Sequence, residues 1–181
     1  MKTIDKYLFQ ALDSYPYSLE ETIESLDYAF SYDAKNTMVL CLYGRIQAEQ
    51  LLNYEEAKCC FQEALSINIY ALEVYAYYIQ TLILNEDYEE AEKLIDFALT
   101  IKGINKSEIY VKKAILFEAQ HEFKNALAEI KNAKLATLQF AFDSDIVKIE
   151  KRIKGKIDLI KDKKSLRNQK KILKRNQSDF D

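Results

Sequence analysis

The residues that could perform chemistry are few in this chain, and their spacing does not predict a catalytic site. His121 is the only histidine, and it falls beside an expected turn between two helices. Serine–histidine and cysteine–histidine catalysis would both have to use that one side chain, because proton transfer needs groups that converge on one point. We therefore predict that the protein is not an enzyme.

The cysteines and glycines predict neither a metal site nor a phosphate site. Cys41, Cys59 and Cys60 do not have the spacing of a zinc site, and two of them are adjacent on one expected helix. The chain has only three glycines, and they lie too far apart to form a phosphate-binding loop. We expect reduced cysteines packed at or near helix interfaces, and no metal or cofactor.

The 13 tyrosines could form a stacking surface for nucleic-acid bases. Most of them, however, fall where helices are expected to pack together, which favours a structural role. Tyr77 is the exception, because it shares a helical stripe with Glu73, Gln80 and Leu84. This stripe is therefore a candidate binding face.

Helices must position these residues, because a helical segment recurs along the chain. Residues 53–65 return in a similar form at 87–99, and weaker copies begin near Ser18 and Glu122. The copies align in four columns: Leu19, Tyr54, Tyr88 and Phe123; Thr22, Ala57, Ala91 and Ala126; Leu26, Phe61, Ile95 and Ile130; Ala29, Ala64, Ala98 and Ala133. The last column advances by 35, 34 and 35 residues, which is the period of stacked helix–turn–helix units.

Polar residues mark where the helices should begin and end. Ser18, Asn53 and Asp87 are each followed three residues later by a glutamate, which is the spacing of a capping box. Ser107 is a further expected N-cap, and Gly103 an expected C-terminal cap. We predict helix pairs at about 3–34, 36–69, 71–103 and 108–137, within a repeat domain spanning 1–142.

These columns resemble the tetratricopeptide repeat (TPR) family over about residues 3–137. Tyr43-Gly44 fits the Leu-Gly-like pair of that family, whereas the third and fourth units depart from it. The resemblance implies an all-α, right-handed α-solenoid whose first helices line a concave groove. It assigns to that groove Arg45 and Glu49 from the second unit, Glu73, Ala76, Tyr77, Gln80 and Leu84 from the third, and Glu108, Lys112, Ile115 and Glu118 from the fourth.

The residues of this implied groove favour one class of partner. They are mostly acidic, apolar or aromatic, with Arg45 and Lys112 as lone cations, so an acidic C-terminal tail is disfavoured. An apolar or basic helix, or an extended segment, fits them better. Our leading hypothesis is a non-enzymatic adaptor or assembly factor that binds another protein in the groove.

Beyond the repeats, the sequence predicts an amphipathic helix. Ile146, Ile149, Ile153, Ile157 and Ile160 follow one another at steps of three and four. Such a helix would cover the last exposed apolar face of the solenoid. Gly155 lies within it and costs about 1 kcal/mol relative to alanine. We expect a C-terminal helix over 143–176, amphipathic and then basic, followed by a tail at 177–181.

Charge is distributed unevenly along the chain. Residues 151–175 hold 12 Lys/Arg and 2 Asp/Glu, whereas residues 1–150 hold 14 Lys/Arg and 25 Asp/Glu. Cations clustered in this way bind phosphate by releasing its counterions, so a second hypothesis is RNA or polyanion binding. The residues assigned to it are Lys163, Lys164, Arg167, Lys170, Lys171, Lys174 and Arg175.

Two other hypotheses remain open, one from the same charge asymmetry and one from the family resemblance. The basic segment of one copy could lie on the acidic body of another, which would give a homo-oligomer sensitive to salt. The family resemblance alone also suggests a dedicated chaperone for a secreted partner.

The chain shows no signal-peptide pattern and no apolar run of 18 residues, so we expect a cytoplasmic protein without a membrane span.

Overall fold

The structure, a computed structural model, describes residues 6–137 and 144–178, with side chains described as far as residue 163. Its elements are α1 (Lys6–Ser14), α2 (Leu19–Tyr32), α3 (Thr37–Glu49), α4 (Tyr54–Ile67), α5 (Leu72–Leu84), α6 (Tyr88–Thr100), α7 (Lys106–Ala119), α8 (Phe123–Ala136) and α9 (Ser144–Ser178). The described residues form helices and no strands, so the predicted all-α class is confirmed.

The first eight helices pair into four hairpins: α1–α2 (hairpin 1), α3–α4 (hairpin 2), α5–α6 (hairpin 3) and α7–α8 (hairpin 4). Helices α2 to α8 are each 13 or 14 residues long, or about 20 Å at 1.5 Å per residue. The helix pairs expected from the repeat columns are therefore present.

Three of the four repeat columns form the interior of the hairpins. The small-residue column that begins at Thr22, the large-residue column that begins at Leu26 and the alanine column that begins at Ala29 are at most 1% exposed at every position. The small side chains allow helices to approach closely, because interaxial distance depends on the residues at the contact. The large residues between them fill the remaining space.

Gly44 shows how tight one of these contacts is. A Cβ atom at this position would lie 2.6–2.9 Å from three ring carbons of Phe61, across the α3–α4 interface. Those distances are well inside van der Waals contact, so any larger residue would force the Phe61 ring to move. The Tyr43-Gly44 pair identified in the sequence thus has a packing role.

The turns inside hairpins 2, 3 and 4 share one backbone feature. Leu52, Glu86 and His121 have φ values of 53°, 63° and 64°, in the left-handed region. Each residue directly precedes the N-cap of the second helix of its hairpin. Residues other than glycine are uncommon in this conformation, so the same strained turn is repeated with the period of the sequence.

Three of the predicted caps form differently from expectation. Ser18 lies at the N-cap of α2 but makes no side-chain cap. Asp87 lies at the N-cap of α6, but its carboxylate accepts hydrogen bonds from Lys58 and Asn85, both at 2.8 Å, and makes no side-chain cap. Ser107 is not an N-cap, because α7 begins at Lys106. Its hydroxyl lies 2.9 Å from the Ala133 carbonyl oxygen and so joins α7 to α8.

Helix starts elsewhere agree better with prediction. Asn53 accepts a hydrogen bond from the Glu56 amide at 3.4 Å. Asn36, which the capping-box pattern did not identify, caps α3 by accepting one from the Met38 amide at 3.0 Å. Gly103, the predicted C-terminal cap, has a φ of 92° but lies two residues beyond Ile101, which is the C-cap of α6.

The chain divides into two compact units, Met1–Asn105 (unit 1) and Lys106–Asp181 (unit 2). Unit 1 contains hairpins 1 to 3, and unit 2 contains hairpin 4 and α9. Unit 1 carries 7 Lys/Arg and 18 Asp/Glu, a net charge of −11, whereas unit 2 carries 19 and 11, a net charge of +8. The two units therefore carry net charges of opposite sign.

Helix α9 completes the core of unit 2. Ile146 and Ile153 are 3% and 0% exposed and pack in one cluster with Ala114, Ala126, Ile130 and Ala133. Ile149 and Ile157 are partly buried against this cluster, and Ile160 is 40% exposed. The predicted isoleucine stripe thus covers the apolar side of hairpin 4 through four of its five members.

Candidate protein-binding face of unit 1

The predicted binding residues of unit 1 lie on α3 and α5, the first helices of hairpins 2 and 3. These helices contact each other, and α1 contacts α3. Glu73, Tyr77, Gln80 and Leu84 follow at steps of four, three and four on α5, which places them on one helical face. We call this surface of α3 and α5, together with the end of α1, the unit 1 face.

Arg45 is the centre of the unit 1 face. Its guanidinium carbon lies 4.2 Å from the centroid of the Tyr77 ring and 4.6 Å from the centroid of the Tyr15 ring. Both distances are within the range of a cation–π contact. The side chain is 21% exposed. Arg45 therefore links α3 with α5 and with the turn that follows α1 through its contacts with two aromatic rings.

Glu49 binds both Arg45 and Tyr15. It accepts a hydrogen bond from Arg45 Nε at 3.4 Å and another from the Tyr15 hydroxyl. Burial, together with the hydrogen bond to Glu49, raises the pKa of Tyr15 to about 12. Tyr15 thus remains a neutral donor at physiological pH, and the Arg45 charge is partly compensated within the chain.

Cys41 lies one helical turn before Arg45 and is 4% exposed. Burial, followed by the negative charge of Glu73, raises the pKa of its thiol to about 12. A thiol of this kind is not ionised at neutral pH and is a poor nucleophile. Its chemistry supports the expected structural role.

The predicted residues of the unit 1 face differ in how much surface they offer. Glu73 is exposed, Leu84 is 49% exposed, and Tyr77 and Gln80 are half-buried. Ala76 is only 6% exposed, so it acts mainly in packing. The accessible part thus combines a carboxylate, an aromatic ring and an aliphatic side chain.

Tyr15 was missed in the sequence, where it was assigned to a turn. Its partner Glu49 follows it by 34 residues, which is one repeat period. Applying the period to residues before the second unit would have placed Tyr15 beside the predicted face.

Unit 2 contains the other predicted groove residues, on α7. Glu108 is exposed, and Lys112 and Ile115 are half-buried; their steps of four and three place them on one face of this helix. They were assigned from the same repeat register as Glu73, Tyr77 and Gln80.

Glu118 requires a correction, because it lies in the interior of unit 2 and is 5% exposed. A step of 35 residues aligns it with Ile83 and Ala48, which are 6% and 4% exposed, whereas the position equivalent to Leu84 is Ala119. The groove assignment was therefore one residue out of register at this point.

Two cations of α9 bind the Glu118 carboxylate. Arg152 donates from Nε at 2.9 Å and from Nη2 at 2.6 Å, and Lys156 Nζ lies 2.8 Å from Oε1. Burial opposes ionisation, but the hydrogen bonds from Arg152 and Lys156 outweigh it, so the pKa of Glu118 is lowered. Paired charges of this kind satisfy the rule that buried ions need partners. The Glu118 carboxylate is thus paired with cations of its own unit.

The predicted basic segment lies on α9. Lys163 is exposed, as are all side chains from Asp158 to Lys163. Lys164, Arg167, Lys170, Lys171, Lys174 and Arg175 belong to the same helix by backbone, but their side chains lie outside the described residues. The cationic surface is therefore described only at its beginning.

The remaining candidates for chemistry take structural or surface positions. His121 is exposed, with its ring edge-on to Phe123. Tyr75 and Tyr78, which were expected in helix interfaces, are buried, and Tyr78 donates to Glu90 at 2.8 Å. Within the described residues, no three His, Cys, Asp or Glu side chains form a group that could hold a metal ion.

Among the described helices, none is both long and apolar enough to cross a membrane.

Solved structures similar to this chain include a repeat protein. No protein-family model matches the chain, and no curated protein matches it. The chain is similar to a tetratricopeptide repeat protein of known crystal structure from Parabacteroides merdae, with 16% sequence identity and a TM-score of 0.39. The match covers 74% of this chain and 64% of that one, which is less than two thirds of its length. The neighbour belongs to the family that the repeat columns resemble; the fold class itself rests on the helices described above.

Proposed function

We propose that the protein binds a segment of another protein on the unit 1 face and has no catalytic role. The Tyr15–Arg45–Tyr77 stack carries this proposal. It presents an aromatic ring and a guanidinium group where α3, α5 and the turn after α1 meet. Tyrosine and arginine are enriched among the residues that contribute most to protein interfaces.

The chemistry around the stack selects the kind of segment. Glu49 and Glu73 add negative charge, unit 1 has a net charge of −11, and Leu84 offers an exposed aliphatic side chain. A segment with a lysine or arginine beside an apolar residue would pair with the carboxylates and cover Leu84 and Tyr77. A helical or extended segment of this composition is complementary to the unit 1 face, whereas an acidic tail would be repelled by its carboxylates.

Affinity purification with matched variants tests this proposal. Glu73→Lys with Leu84→Asp should remove a protein partner that wild-type chain retains at moderately high salt. Glu92→Lys with Tyr70→Asp makes the same kinds of change at exposed positions elsewhere on unit 1 and should leave the partner bound. Equal recovery of every partner by wild type and both variants would show that the unit 1 face is not the binding site.

The exposed cations of α9 favour a second candidate function, the binding of RNA or another polyanion. Lys151, Lys154, Lys161 and Lys163 are exposed, and unit 2 has a net charge of +8. Binding of this kind weakens steeply with salt, because each neutralised phosphate releases a counterion.

Neutralising the cations tests the second candidate. The variant Lys161→Gln/Lys163→Gln/Arg167→Gln should lower the salt slope of RNA binding by about three if each side chain contacts one phosphate. Lys93→Gln/Lys102→Gln removes exposed cations of unit 1 and should leave the slope unchanged. An unchanged slope in the first variant would argue against α9 as the polyanion site.

A further inference from the structure

Hairpin 1 carries exposed aromatic side chains that the proposed function does not use. Tyr7, Phe9, Tyr17, Tyr28 and Tyr32 are between 41% and 92% exposed. Tyr7 and Tyr28 stack with 5.1 Å between their ring centroids. Exposed aromatic side chains gathered on one small element are typical of interaction surfaces rather than of a solvated helix.

Two of these tyrosines belong to a regular stripe on α2. Glu20, Glu24, Tyr28 and Tyr32 follow at steps of four, and all are exposed. We call them the α2 stripe. Residues 6–33 hold six Asp/Glu and one Lys, so the aromatic rings lie in a strongly negative environment.

The chemistry of the α2 stripe selects a cationic helix as its occupant. Lysine and arginine can pair with the two carboxylates and place their charge over the faces of the two tyrosine rings. Their aliphatic stems can cover the aromatic surface at the same time. A helix with cations at steps of four would match all four positions.

Helix α9 has this spacing, with cations at three of the four positions and Leu159 at the other. It is 35 residues long, or about 52 Å, and its first part, through Ile157, packs on hairpin 4. Leu159, Lys163, Arg167 and Lys171 then follow at steps of four, and Leu159 is 63% exposed. Residues 151–175 carry a net charge of +10.

We propose that the α2 stripe of one copy binds residues 159–171 of α9 from a second copy. Charge complementarity selects this occupant, because unit 1 and unit 2 carry net charges of opposite sign. The two surfaces differ, so the association is head-to-tail; it closes into a ring or continues as a chain according to the rotation between copies.

Sedimentation velocity of the full chain tests this inference. At about 0.05 M salt the chain should self-associate as its concentration rises, and at about 0.5 M salt it should sediment as a monomer, because screening removes the attraction between exposed charges. A monomer at every concentration in low salt would overturn the inference.

Charge reversal tests the two surfaces separately. Glu20→Lys/Glu24→Lys and Lys163→Glu/Arg167→Glu should each weaken self-association about tenfold or more, because like charges then face each other. An equimolar mixture of the two variants should associate again, since a reversed α2 stripe then meets a reversed α9. The control Glu63→Lys/Glu92→Lys makes the same charge change elsewhere on unit 1 and should associate as wild type does.

Two results would contradict the assignment of surfaces. If the control weakened association as much as Glu20→Lys/Glu24→Lys, net charge rather than the α2 stripe would be responsible. If the mixture remained monomeric, the two surfaces would not be partners. Tyr28→Ser/Tyr32→Ser leaves the charge unchanged and should also weaken association; wild-type behaviour in this variant would exclude the aromatic contact.

Discussion

At the scale of single residues, Glu118 of unit 2 is a buried charged side chain at a position where hairpins 2 and 3 have alanine and isoleucine. Its two partners are less buried: the side chains of Arg152 and Lys156 are 52% and 46% exposed. Loss of the carboxylate and loss of the cations should therefore have unequal effects.

Removing the cations should destabilise unit 2 strongly. Arg152→Ala/Lys156→Ala leaves the buried Glu118 carboxylate without the two cations that bind it, which should lower the free energy of unfolding by about 3 kcal/mol. Glu118→Ile restores the residue type found at position 83 and should change it by about 1 kcal/mol or less. Urea unfolding followed by circular dichroism measures both variants. A larger loss in Glu118→Ile than in the cation variant would contradict the burial argument.

The same pair predicts the direction of a pH effect. The pKa of Glu118 is lowered in the folded state. Its stabilising contribution is therefore fully present above the unfolded pKa of about 4.3 and is lost as the pH falls through the lower folded value. Wild type should thus lose stability relative to Glu118→Ile below about pH 4. Parallel curves for the two proteins across this range would rule out a role for the Glu118 charge.

Thiol labelling gives a prediction that needs no substitution. Cys59 is exposed and should react first with a disulfide reagent. Burial raises the pKa of Cys60 to about 11, so its labelling should become about tenfold faster for each unit of pH up to that value, because only the thiolate reacts. Cys41 is buried and should react only after unfolding. Fast reaction of all three thiols at neutral pH would contradict the burial of Cys41.

Single residues also show which contacts could be predicted from the sequence and which could not. The columns around Ala57 and Phe61 were predictable, because small and large apolar residues recur with the repeat period. The position of Glu118 was not, since its partners Arg152 and Lys156 lie 34 and 38 residues away, on a helix outside the repeats. An acidic residue at a core position has no local signal that identifies its partner.

At the scale of elements, the hairpins depend on how closely two helices approach. Gly44 and Gly155 form a matched pair of test positions, since both are helical glycines. A Cβ at Gly44 would overlap the Phe61 ring, whereas one at Gly155 would meet no atom within 4 Å.

The two glycines should therefore respond to alanine in opposite directions. Gly44→Ala should lower the free energy of unfolding by about 1–3 kcal/mol, because the Phe61 ring must move from a packed site. Gly155→Ala should raise it by about 1 kcal/mol, the usual gain in a helix interior. Chemical unfolding of both variants decides the point. Destabilisation by Gly155→Ala would indicate that the glycine serves a contact not present in the isolated chain.

Most element boundaries were predictable because hydrophobic periodicity and caps agree on them. α2, α4 and α6 begin where Ser18, Asn53 and Asp87 indicated. The start of α7 was misplaced because Ser107 has the residue type of a cap but uses its hydroxyl for a contact with α8. Competition of this kind between local and tertiary hydrogen bonds cannot be resolved from residue type.

At the scale of the whole molecule, the two units of opposite charge should respond differently to salt. Unit 1 has 18 Asp/Glu and only 7 Lys/Arg, so repulsion between like charges should exceed the attraction from ion pairs. Twelve of the 13 tyrosines lie in unit 1, so tyrosine signals report mainly on that unit.

Raising the salt from about 0.01 to 0.2 M should therefore increase the unfolding midpoint followed by tyrosine fluorescence, because screening shortens from about 30 Å to less than 10 Å. The measurement belongs at low protein concentration, where self-association does not contribute. A midpoint that fell with salt would show that ion pairs such as Lys58–Asp87 outweigh the repulsion in unit 1.

The repeated left-handed turns have a consequence for chirality. Leu52, Glu86 and His121 hold backbone angles that are natural to amino acids of the opposite hand. A D-amino acid mirrors the steric preferences of its L form, so these are three positions where the chain should accept one without bending a helix. Leu52 is 65% exposed, and its inversion would leave the core untouched. A chain assembled by chemical ligation with D-leucine at that position should keep its fold and resist proteases at the turn.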